Sequence, residues 1–309
     1  MSQLRKIKRK DLEVEKYSKA INEALNYRIY AEYWYLDILT GEKWECWVWG
    51  DYEVIMPIPL QYKFGFKFVL QPIYCQQLGV FYREEISDEL FREFEKKLHK
   101  YRVRAYHFNE ENTEQYSPEG QKRTNYVLDL NRSYEEIFKG YKNNRRGDLR
   151  KASRLGIKVN ISGKIENFIG LFLNNYPHLS HLVNQGFLKK YMETLDRKHK
   201  LLLFDVLDEN DCLIASQMIV VSKNRHIYMG FARNKNRENH NSSAFAMDGL
   251  IRELSGDKKW IDFEGSDNRK IAGFMLGFNP RGKNYMIFSN FKFSVTDFLK
   301  KLKSILSVD

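Results

Sequence analysis

The sequence predicts a mixed α/β protein, of the α+β kind with a mixed sheet, and its length, composition and hydrophobic pattern all support that fold class. At 309 residues the chain has room for about two domains of ordinary size. Hydrophobic residues make up 43% and aromatic residues 15%, with only 6 prolines, which is typical of a packed globular protein. Segments with strand periodicity alternate with helical ones. The polar, turn-rich stretch from Asn109 to Asn125 predicts a boundary, with one domain at 1–125 and another at 126–309.

The charge balance favours anionic partners. Lys and Arg number 51 against 40 Asp and Glu, which gives a net charge of +11. Nucleic acid, phosphates and coenzyme A suit such a balance, and a Lys-rich composition without any such ligand is the alternative. The N-terminal sequence is too charged for a secretory signal, and no apolar run reaches the roughly 18 residues that span a bilayer, so we expect a cytoplasmic protein. The 3 cysteines lack the paired spacing of a zinc site, and no metal is expected.

The first half is predicted to be rich in strands. A helical pattern covers Tyr17 to Tyr27, and the aromatic stretch from Trp44 to Pro72 alternates as two strands joined by a tight turn. A charged helix from Ser87 to Tyr101 and a short strand from Arg102 to Phe108 follow. We expect the stretch between this strand and residue 125 to be an irregular loop.

The second half is predicted to begin with a strand and a long basic helix. The strand covers Tyr126 to Leu130, and the helix covers Ser133 to Leu155. Its first residue is spaced with Glu136 as a capping box. Gly156 is expected to end the helix before a strand from Ile157 to Ile161, because glycine readily adopts the left-handed backbone of a helix C-terminus.

The rest of the chain is predicted to form an antiparallel meander and then helix, strand, helix and strand. Short turns separate the meander strands, so neighbours can pair as hairpins. The elements are a helical region Asn167–Leu195, strands Lys200–Leu207, Cys212–Ser222 and Arg225–Phe231, a helix Ser242–Leu254, a strand at Trp260–Glu264, a helix Asn268–Gly277 and a strand Asn284–Ser289. An amphipathic helix over Val295–Ser307 is expected to dock on the protein's own core, with the first domain as a candidate, rather than on a membrane.

Two acids in the apolar run from Trp260 to Phe278 form the first candidate site. Strand side chains alternate, so Asp262 and Glu264 share one face while Ile261 and Phe263 share the other. Burying a carboxylate is costly unless it is paired, hydrogen-bonded or chemically active. Glu264 lies closer to the strand end, where sites in α/β sheets open, so we predict it as a general base ahead of Asp262. Alternatively, Glu264 binds the backbone of its own turn and Asp262 pairs with a lysine or arginine.

The basic helix is the second candidate. Lys142, Arg146, Arg150 and Arg154 recur every four residues and form one cationic stripe. Arg145 falls on the row of predicted buried side chains and should point inward, where its fork could clamp a phosphate or carboxylate. A solvated face with one internally paired arginine is the alternative. The buried row is predicted to consist of Ile137, Tyr141, Leu149 and Ala152.

The loop before the Ser242 helix is the third candidate. Helix N-termini leave backbone N–H groups unpaired and carry a partial positive charge. Asn241, Ser242 and Ser243 are therefore predicted to bind a phosphate group of an acyl carrier. A plain Asn or Ser N-cap is the alternative.

The predicted element order and two sequence stretches resemble a known group of proteins. A meander followed by helix, strand, helix and strand is the order of the N-acetyltransferase (GNAT) core. YEEIFKGYKNNRRGDLRKASRLGIKV resembles the basic helix, glycine and short strand of the Fem-type peptidyltransferases, which carry two GNAT-like domains in tandem. WIDFEGSDNRKIAGFMLGFNP resembles their late strand with an acid and the helix after it. The resemblance covers residues 124–290; in the first half it rests on strand order alone. No heptad run marks the coiled-coil arm of the tRNA-dependent members, which favours the shorter relatives.

This resemblance implies an N-acyltransferase or aminoacyltransferase that uses a thioester or ester donor and an amine acceptor, either a small molecule or a peptide. The donor would be acyl-coenzyme A or an aminoacyl-tRNA. Backbone N–H groups from Met229 to Phe231 would stabilise the oxyanion, and Tyr228 would protonate a leaving thiolate. The alternative for Tyr228 is a packing role in the core. GNAT enzymes bind the coenzyme A pyrophosphate with a glycine-rich loop, but ARNKNRENHNSSAF has no glycine there. The alternative is a non-catalytic protein of this fold that binds an anionic ligand, tRNA or another polyanion.

Overall fold

The computed structural model describes residues 4–63, 65–179, 182–237, 241–265 and 268–291. Backbone contacts divide the chain into two compact units, Met1–Arg123 with Asn284–Asp309, and Thr124–Lys283. Among the described residues, no helix has the length and apolar character needed to cross a membrane. The helix predicted over Val295–Ser307 lies outside the described residues.

Thirteen strands and ten α-helices are described. The strands are β1 (Arg5–Lys8), β2 (Trp44–Trp49), β3 (Val54–Lys63), β4 (Phe66–Leu70), β5 (Phe81–Tyr82), β6 (Val103–Phe108), β7 (Gln121–Asp129), β8 (Lys158–Asn160), β9 (Leu201–Leu207), β10 (Leu213–Val221), β11 (Arg225–Arg233), β12 (Trp260–Asp262) and β13 (Arg281–Phe288). The helices are α1 (Val14–Glu23), α2 (Tyr33–Thr40), α3 (Asp88–His99), α4 (Glu110–Tyr116), α5 (Tyr134–Gly140), α6 (Asn143–Arg154), α7 (Ile165–Asn175), α8 (Gln185–Arg197), α9 (Ser242–Leu254) and α10 (Arg269–Leu276).

The first unit is built on a mixed sheet in the order β1, β2, β3, β4, β6, β13, with β5 against β3. Strands β4 and β6 run parallel, which requires a crossover, and α3 supplies it. The end of the chain returns to this sheet, because Met286 to Phe288 of β13 pair antiparallel with β6. The first unit therefore takes its last strand from beyond the second unit in the sequence.

The prediction of an irregular loop after β6 is wrong, because this stretch contains helix α4. Asn109 caps this helix by accepting a hydrogen bond from the Asn112 backbone N–H at 2.9 Å. At its other end, the Tyr116 ring stacks on Phe91 with centroids 4.3 Å apart. A seven-residue helix made mostly of polar residues has too little hydrophobic periodicity to be recognised from sequence.

The second unit carries the predicted meander. Its sheet has the order β7, β12, β11, β10, β9, β8, and β9, β10 and β11 pair antiparallel with their neighbours. Helix α9 covers the predicted Ser242–Leu254, and its apolar side chains pack in one hydrophobic cluster with Leu128, Phe204 and Ile219. The predicted mixed α/β fold class is confirmed.

The prediction of a single basic helix over Ser133–Leu155 is wrong, because this stretch forms two helices, α5 and α6. The predicted capping box is present at the start of α5, between Ser133 and Glu136. The chain leaves the helical conformation at Tyr141, whose ψ is 143°. Tyr141 is buried, and the next N–H, that of Lys142, donates to the Gly277 carbonyl at 3.0 Å. Tertiary packing and the weak helix former Gly140 therefore outweigh the continuous helical pattern.

Candidate active site in the second unit

Strands β11 and β12 pair over three residues and then separate. Their parallel ladder runs from Arg225↔Trp260 to Ile227↔Asp262. Strand β12 ends there, whereas β11 continues to Arg233. Among the described residues, β11 therefore has no strand partner on its β12 side beyond Ile227, while its other side stays paired with β10. The space between the end of β12 and the unpaired side of β11, which we call the gap between β11 and β12, is the candidate site.

A β-bulge lies in β11 beside this gap. Tyr228 pairs with Ile219 and Gly230 pairs with Met218, so Met229 is an extra residue with no partner in the ladder. A bulge disrupts the local ladder and turns peptide groups out of their regular direction. The residues predicted to supply oxyanion-binding N–H groups, Met229 to Phe231, thus fall at the one irregular part of this strand's pairing with β10.

Tyr228 lies between this bulge and the end of the β12 pairing. Its half-buried ring is edge-on to Phe263, with centroids 6.5 Å apart. Burial raises the pKa of Tyr228 well above the ordinary tyrosine value, and the nearby Tyr176 phenol adds to the rise. The Tyr228 hydroxyl therefore keeps its proton at neutral pH, as a proton donor must.

Tyr176 is a residue of this site that the sequence did not reveal. Its hydroxyl donates a hydrogen bond to the Phe231 carbonyl at 3.3 Å. Burial also raises the pKa of Tyr176. It lies just after α7, in the predicted helical region Asn167–Leu195, and only a predicted contact between this region and β11 would have drawn attention to it.

Asp262 is enclosed by partners at the end of β12. The side chain is 1% exposed, and its Oδ2 accepts a hydrogen bond from Arg225 Nη1 at 2.7 Å. Its Oδ1 accepts from Asn125 Nδ2 and from the Glu264 backbone N–H, each at 2.9 Å. The pairing with an arginine that the sequence left open as an alternative is therefore present. These contacts compensate the cost of burying the charge.

Glu264 follows two residues later in an unusual conformation. It is half-buried, its φ is +58°, and the next residue, Gly265, has a φ of +59°. Left-handed backbone is costly for a residue with a side chain and persists only where the surroundings impose it. The hydrogen bond from Glu264 N to Asp262 is one such constraint. Gly265 is required here, because a Cβ atom on it would lie 2.2 Å from the Thr124 carbonyl oxygen. Glu264 thus lies at the strand end beside the gap, in a fixed turn.

The predicted phosphate-binding residues lie at the start of α9. Asn241 is the N-cap with φ +59°, and its carbonyl accepts from the N–H groups of Ala244 and Phe245 at 3.0 and 3.1 Å. Its side chain makes no capping hydrogen bond, so the plain side-chain cap is absent. Ser242 is fully buried, whereas Asn241 and Ser243 are partly exposed. His240 and the two residues before it lie outside the described residues.

Arg145 points inward, as predicted, but its guanidinium is held within the protein. It is 6% exposed and lies over the rings of Phe274 and Phe278, at 4.7 and 4.6 Å from their centroids. Nη1 donates to Asp148 at 3.1 Å and Nη2 to the Phe274 carbonyl at 2.9 Å. Burial lowers the pKa of Arg145. These contacts join α6 to α10, which agrees with the alternative of an internally paired arginine.

We expect Arg145→Lys to destabilise the protein by about 1.5–3 kcal/mol, because lysine cannot keep both charge-assisted hydrogen bonds or stack as a plane between two rings. Urea unfolding followed by far-UV circular dichroism measures the loss. Arg150→Lys is the matched control on the exposed face of the same helix, where we expect a change within about 0.5 kcal/mol. Equal midpoints for the two variants would show that the Arg145 contacts contribute nothing.

Two other kinds of site come into question among the described residues: a metal-binding cluster and a groove elsewhere in the chain. They contain no group of three or more His, Cys, Asp or Glu arranged to hold a metal ion. A wide groove in the first unit is lined by residues along α3, but it contains none of the predicted site residues. Asp262, Glu264, Tyr228 and the Met229 bulge all lie within two residues of the point where the β11–β12 pairing ends. The start of α9 and Arg145 belong to the same unit.

The fold is shared with solved structures of distant sequence. FemX superposes with a TM-score of 0.63 at 9% identity, over 96% of this chain and 99% of that one. L-PGS from Bacillus licheniformis gives 0.51 at 12% identity, over 96% and 97%. The C-terminal domain of a putative lysylphosphatidylglycerol synthetase from Agrobacterium fabrum gives 0.52 at 8% identity, over 95% and 96%. No protein-family model and no curated protein matches the sequence. The chain therefore has a Fem-like GNAT fold.

Proposed function

We propose that the protein transfers an acyl or aminoacyl group from a thioester or ester donor to an amine, in the gap between β11 and β12. The observation that carries this proposal is that the pairing of β11 with β12 ends at Ile227, two residues before the Met229 bulge. A gap of this kind exposes backbone N–H groups along one strand without unfolding the sheet. Such groups can bind an extended acyl donor and the negative charge that develops on its carbonyl oxygen.

Each step of the reaction has a candidate group. The amine nitrogen bonds to the donor carbonyl carbon, and the resulting oxyanion accepts hydrogen bonds from N–H groups between Met229 and Phe231. Glu264 takes the proton that the amine loses. The bond from carbon to the leaving sulfur or oxygen then breaks, and Tyr228 gives that atom a proton, which solvent restores. A general base contributes about 10²–10⁴-fold, and one oxyanion donor about 10²–10³-fold.

Asp262 is better suited to positioning than to proton transfer. Arg225 and Asn125 occupy its carboxylate, which also accepts the Glu264 N–H. We therefore propose that Asp262 holds the turn in which Glu264 stands.

Two donors remain in the proposal. In acyl-coenzyme A, the pyrophosphate would lie at Asn241, Ser242 and Ser243, where the sequence lacks the glycines that let a backbone approach phosphates closely. In an aminoacyl-tRNA, the ester would enter the same gap. The similarity in fold to FemX and to a putative lysylphosphatidylglycerol synthetase supports including the ester donor.

Binding of defined donors tests the proposal. We expect acetyl-coenzyme A or bulk aminoacyl-tRNA to raise the melting temperature more than coenzyme A or uncharged tRNA does, since only the acylated forms place a carbonyl in the gap. Transfer is then measured as donor consumption with a panel of amines. Gly230→Val is the site variant, because a Cβ there would already lie 3.2 Å from the Phe168 ring and a larger side chain would perturb β11 beside the bulge. Identical shifts with acylated and free carriers, without donor consumption, would exclude the transferase.

A second candidate function, non-catalytic polyanion binding, is favoured by the stripe on α6. Lys142, Arg150 and Arg154 are exposed, and no described acid forms an ion pair with any of them. A polyanion binder would give a melting-temperature shift that falls steeply with salt and is equal for charged and uncharged tRNA.

A further inference from the structure

The hairpin of β3 and β4 carries exposed aromatic rings in the first unit. Tyr62 is 57% exposed and Phe66 is 48% exposed. In the ladder, Tyr62 pairs with Lys67 and Lys63 pairs with Phe66, so each rung combines one aromatic ring with one lysine. We call these four residues the hairpin tip.

The tip extends beyond the hydrophobic core of its unit. Residues one to two positions further along the strands are buried: Leu60 is 8%, Phe68 6% and Val69 0% exposed. Lys67 bridges to the buried carboxylate of Glu45 at 2.9 Å and so fixes the base of the tip. The rings of Tyr62 and Phe66 gain no comparable burial. Single exposed apolar residues are common, but two rings on successive rungs of one hairpin need a reason.

We propose that the hairpin tip docks the protein on the surface of an anionic lipid bilayer. Aromatic rings are favoured at the level of the lipid headgroups, where they bury apolar area without leaving water entirely. Lys63, on the same rung as Phe66, adds positive charge at the level of the lipid phosphates, and the net charge of +11 draws the whole chain to a negative surface. The stretch from Leu60 to Leu70 contains no acid, so nothing in it opposes that attraction. A basic side chain supports the tip, because the Arg102 guanidinium lies 4.8 Å from the Phe66 ring centroid.

The placement of the rings favours a lipid surface over a nucleic acid. Residues paired across a ladder lie on one face of the ribbon and successive rungs lie on opposite faces. Tyr62 and Lys67 therefore share one face, and Phe66 and Lys63 share the other. Bases stack on aromatic platforms that line one surface of a groove. A ribbon with a ring on each face offers no such platform, but it can insert edgewise into the headgroup layer, which surrounds it on both sides.

Vesicle sedimentation tests this inference with the full-length protein. We expect binding to phosphatidylcholine vesicles that contain about one quarter phosphatidylglycerol, and much weaker binding to pure phosphatidylcholine. Tyr62→Ser/Phe66→Ser should lower the partition coefficient at least about tenfold, since both rings lose their buried area. Lys63→Gln should lower it about fivefold. Leu25→Ser is the control, because Leu25 is 62% exposed in the same unit but lies outside the tip; it should bind like the unaltered protein.

Three outcomes would overturn the inference. The first is equal binding by the Tyr62/Phe66 variant and the unaltered protein, provided that both melt at the same temperature. The second is loss of binding in Lys300→Glu/Lys301→Glu with no loss in the hairpin variants, which would assign the membrane contact to the C-terminal sequence. The third is binding to single-stranded RNA, but not to vesicles, that the hairpin variants abolish. The assay needs no acyl donor, so its result is independent of the proposed transferase activity.

Discussion

Glu264→Gln should abolish most acyl transfer, lowering kcat by about 10²–10⁴-fold, and leave the fold intact. Glutamine has the size and hydrogen-bonding reach of glutamate, but it cannot take the proton that the attacking amine must lose. The interaction that fixes the turn, from the Glu264 backbone N–H to Asp262, does not involve the side chain that changes. The loss should therefore fall on the chemical step. The kinetics of donor consumption with a competent amine measure it.

Several controls separate this effect from a structural one. Glu253→Gln changes an exposed glutamate of α9 in the same unit and should leave kcat unchanged. The donor-induced melting-temperature shift of Glu264→Gln should equal that of the unaltered protein, because ground-state binding keeps its backbone contacts. Loss of the acidic limb of the pH–rate profile would identify the missing group as the base. Unchanged turnover would dismiss Glu264 as the base and leave only its place in the turn to explain.

The sequence predicted the parts of this site that depend on local periodicity. The meander, the extent of α9 and the place of Asp262 on β12 follow from patterns of two and 3.6 residues. The predicted strand ended at Glu264, but β12 ends at Asp262, and Glu264 lies in a left-handed turn that strand alternation does not predict. The inward direction of the Arg145 side chain follows from its place on the predicted buried face of the basic helix. These features could be predicted because each one depends on residues that are close together in the sequence.

The remaining features depend on contacts between residues that are far apart in sequence. Asn125 is 137 positions from Asp262, and Arg225 is 37 positions from it. The break at Tyr141 depends on the Gly277 carbonyl, and the place of Tyr176 depends on its hydrogen bond to β11. None of these pairings leaves a trace in a hydrophobic pattern. A bulge such as that at Met229 is likewise a property of two paired strands and not of one.

Arg225→Met should destabilise the second unit by about 3–5 kcal/mol, because it leaves the Asp262 carboxylate buried without its cation. Arg225 is 8% exposed and Asp262 is 1% exposed, so water cannot replace the lost partner. Hydrogen–deuterium exchange of β11 and β12 in increasing urea reports on this unit directly, since both strands belong to it. We expect faster exchange in both strands at every urea concentration.

A surface ion pair of the same length provides the control. Arg237 Nη1 lies 2.7 Å from Asp208 Oδ2, as Arg225 Nη1 does from Asp262 Oδ2, but the Arg237 side chain is 43% exposed. Arg237→Met should cost no more than about 1 kcal/mol, because solvent screens the pair. Equal losses for the two variants would show that burial does not strengthen the Asp262 contact. A neutral pair, Arg225→Met/Asp262→Leu, should recover part of the stability, because neither charge is then left buried alone. The double variant should not recover acyl transfer, because it lacks the Asp262 carboxylate that accepts a hydrogen bond from the Glu264 backbone N–H.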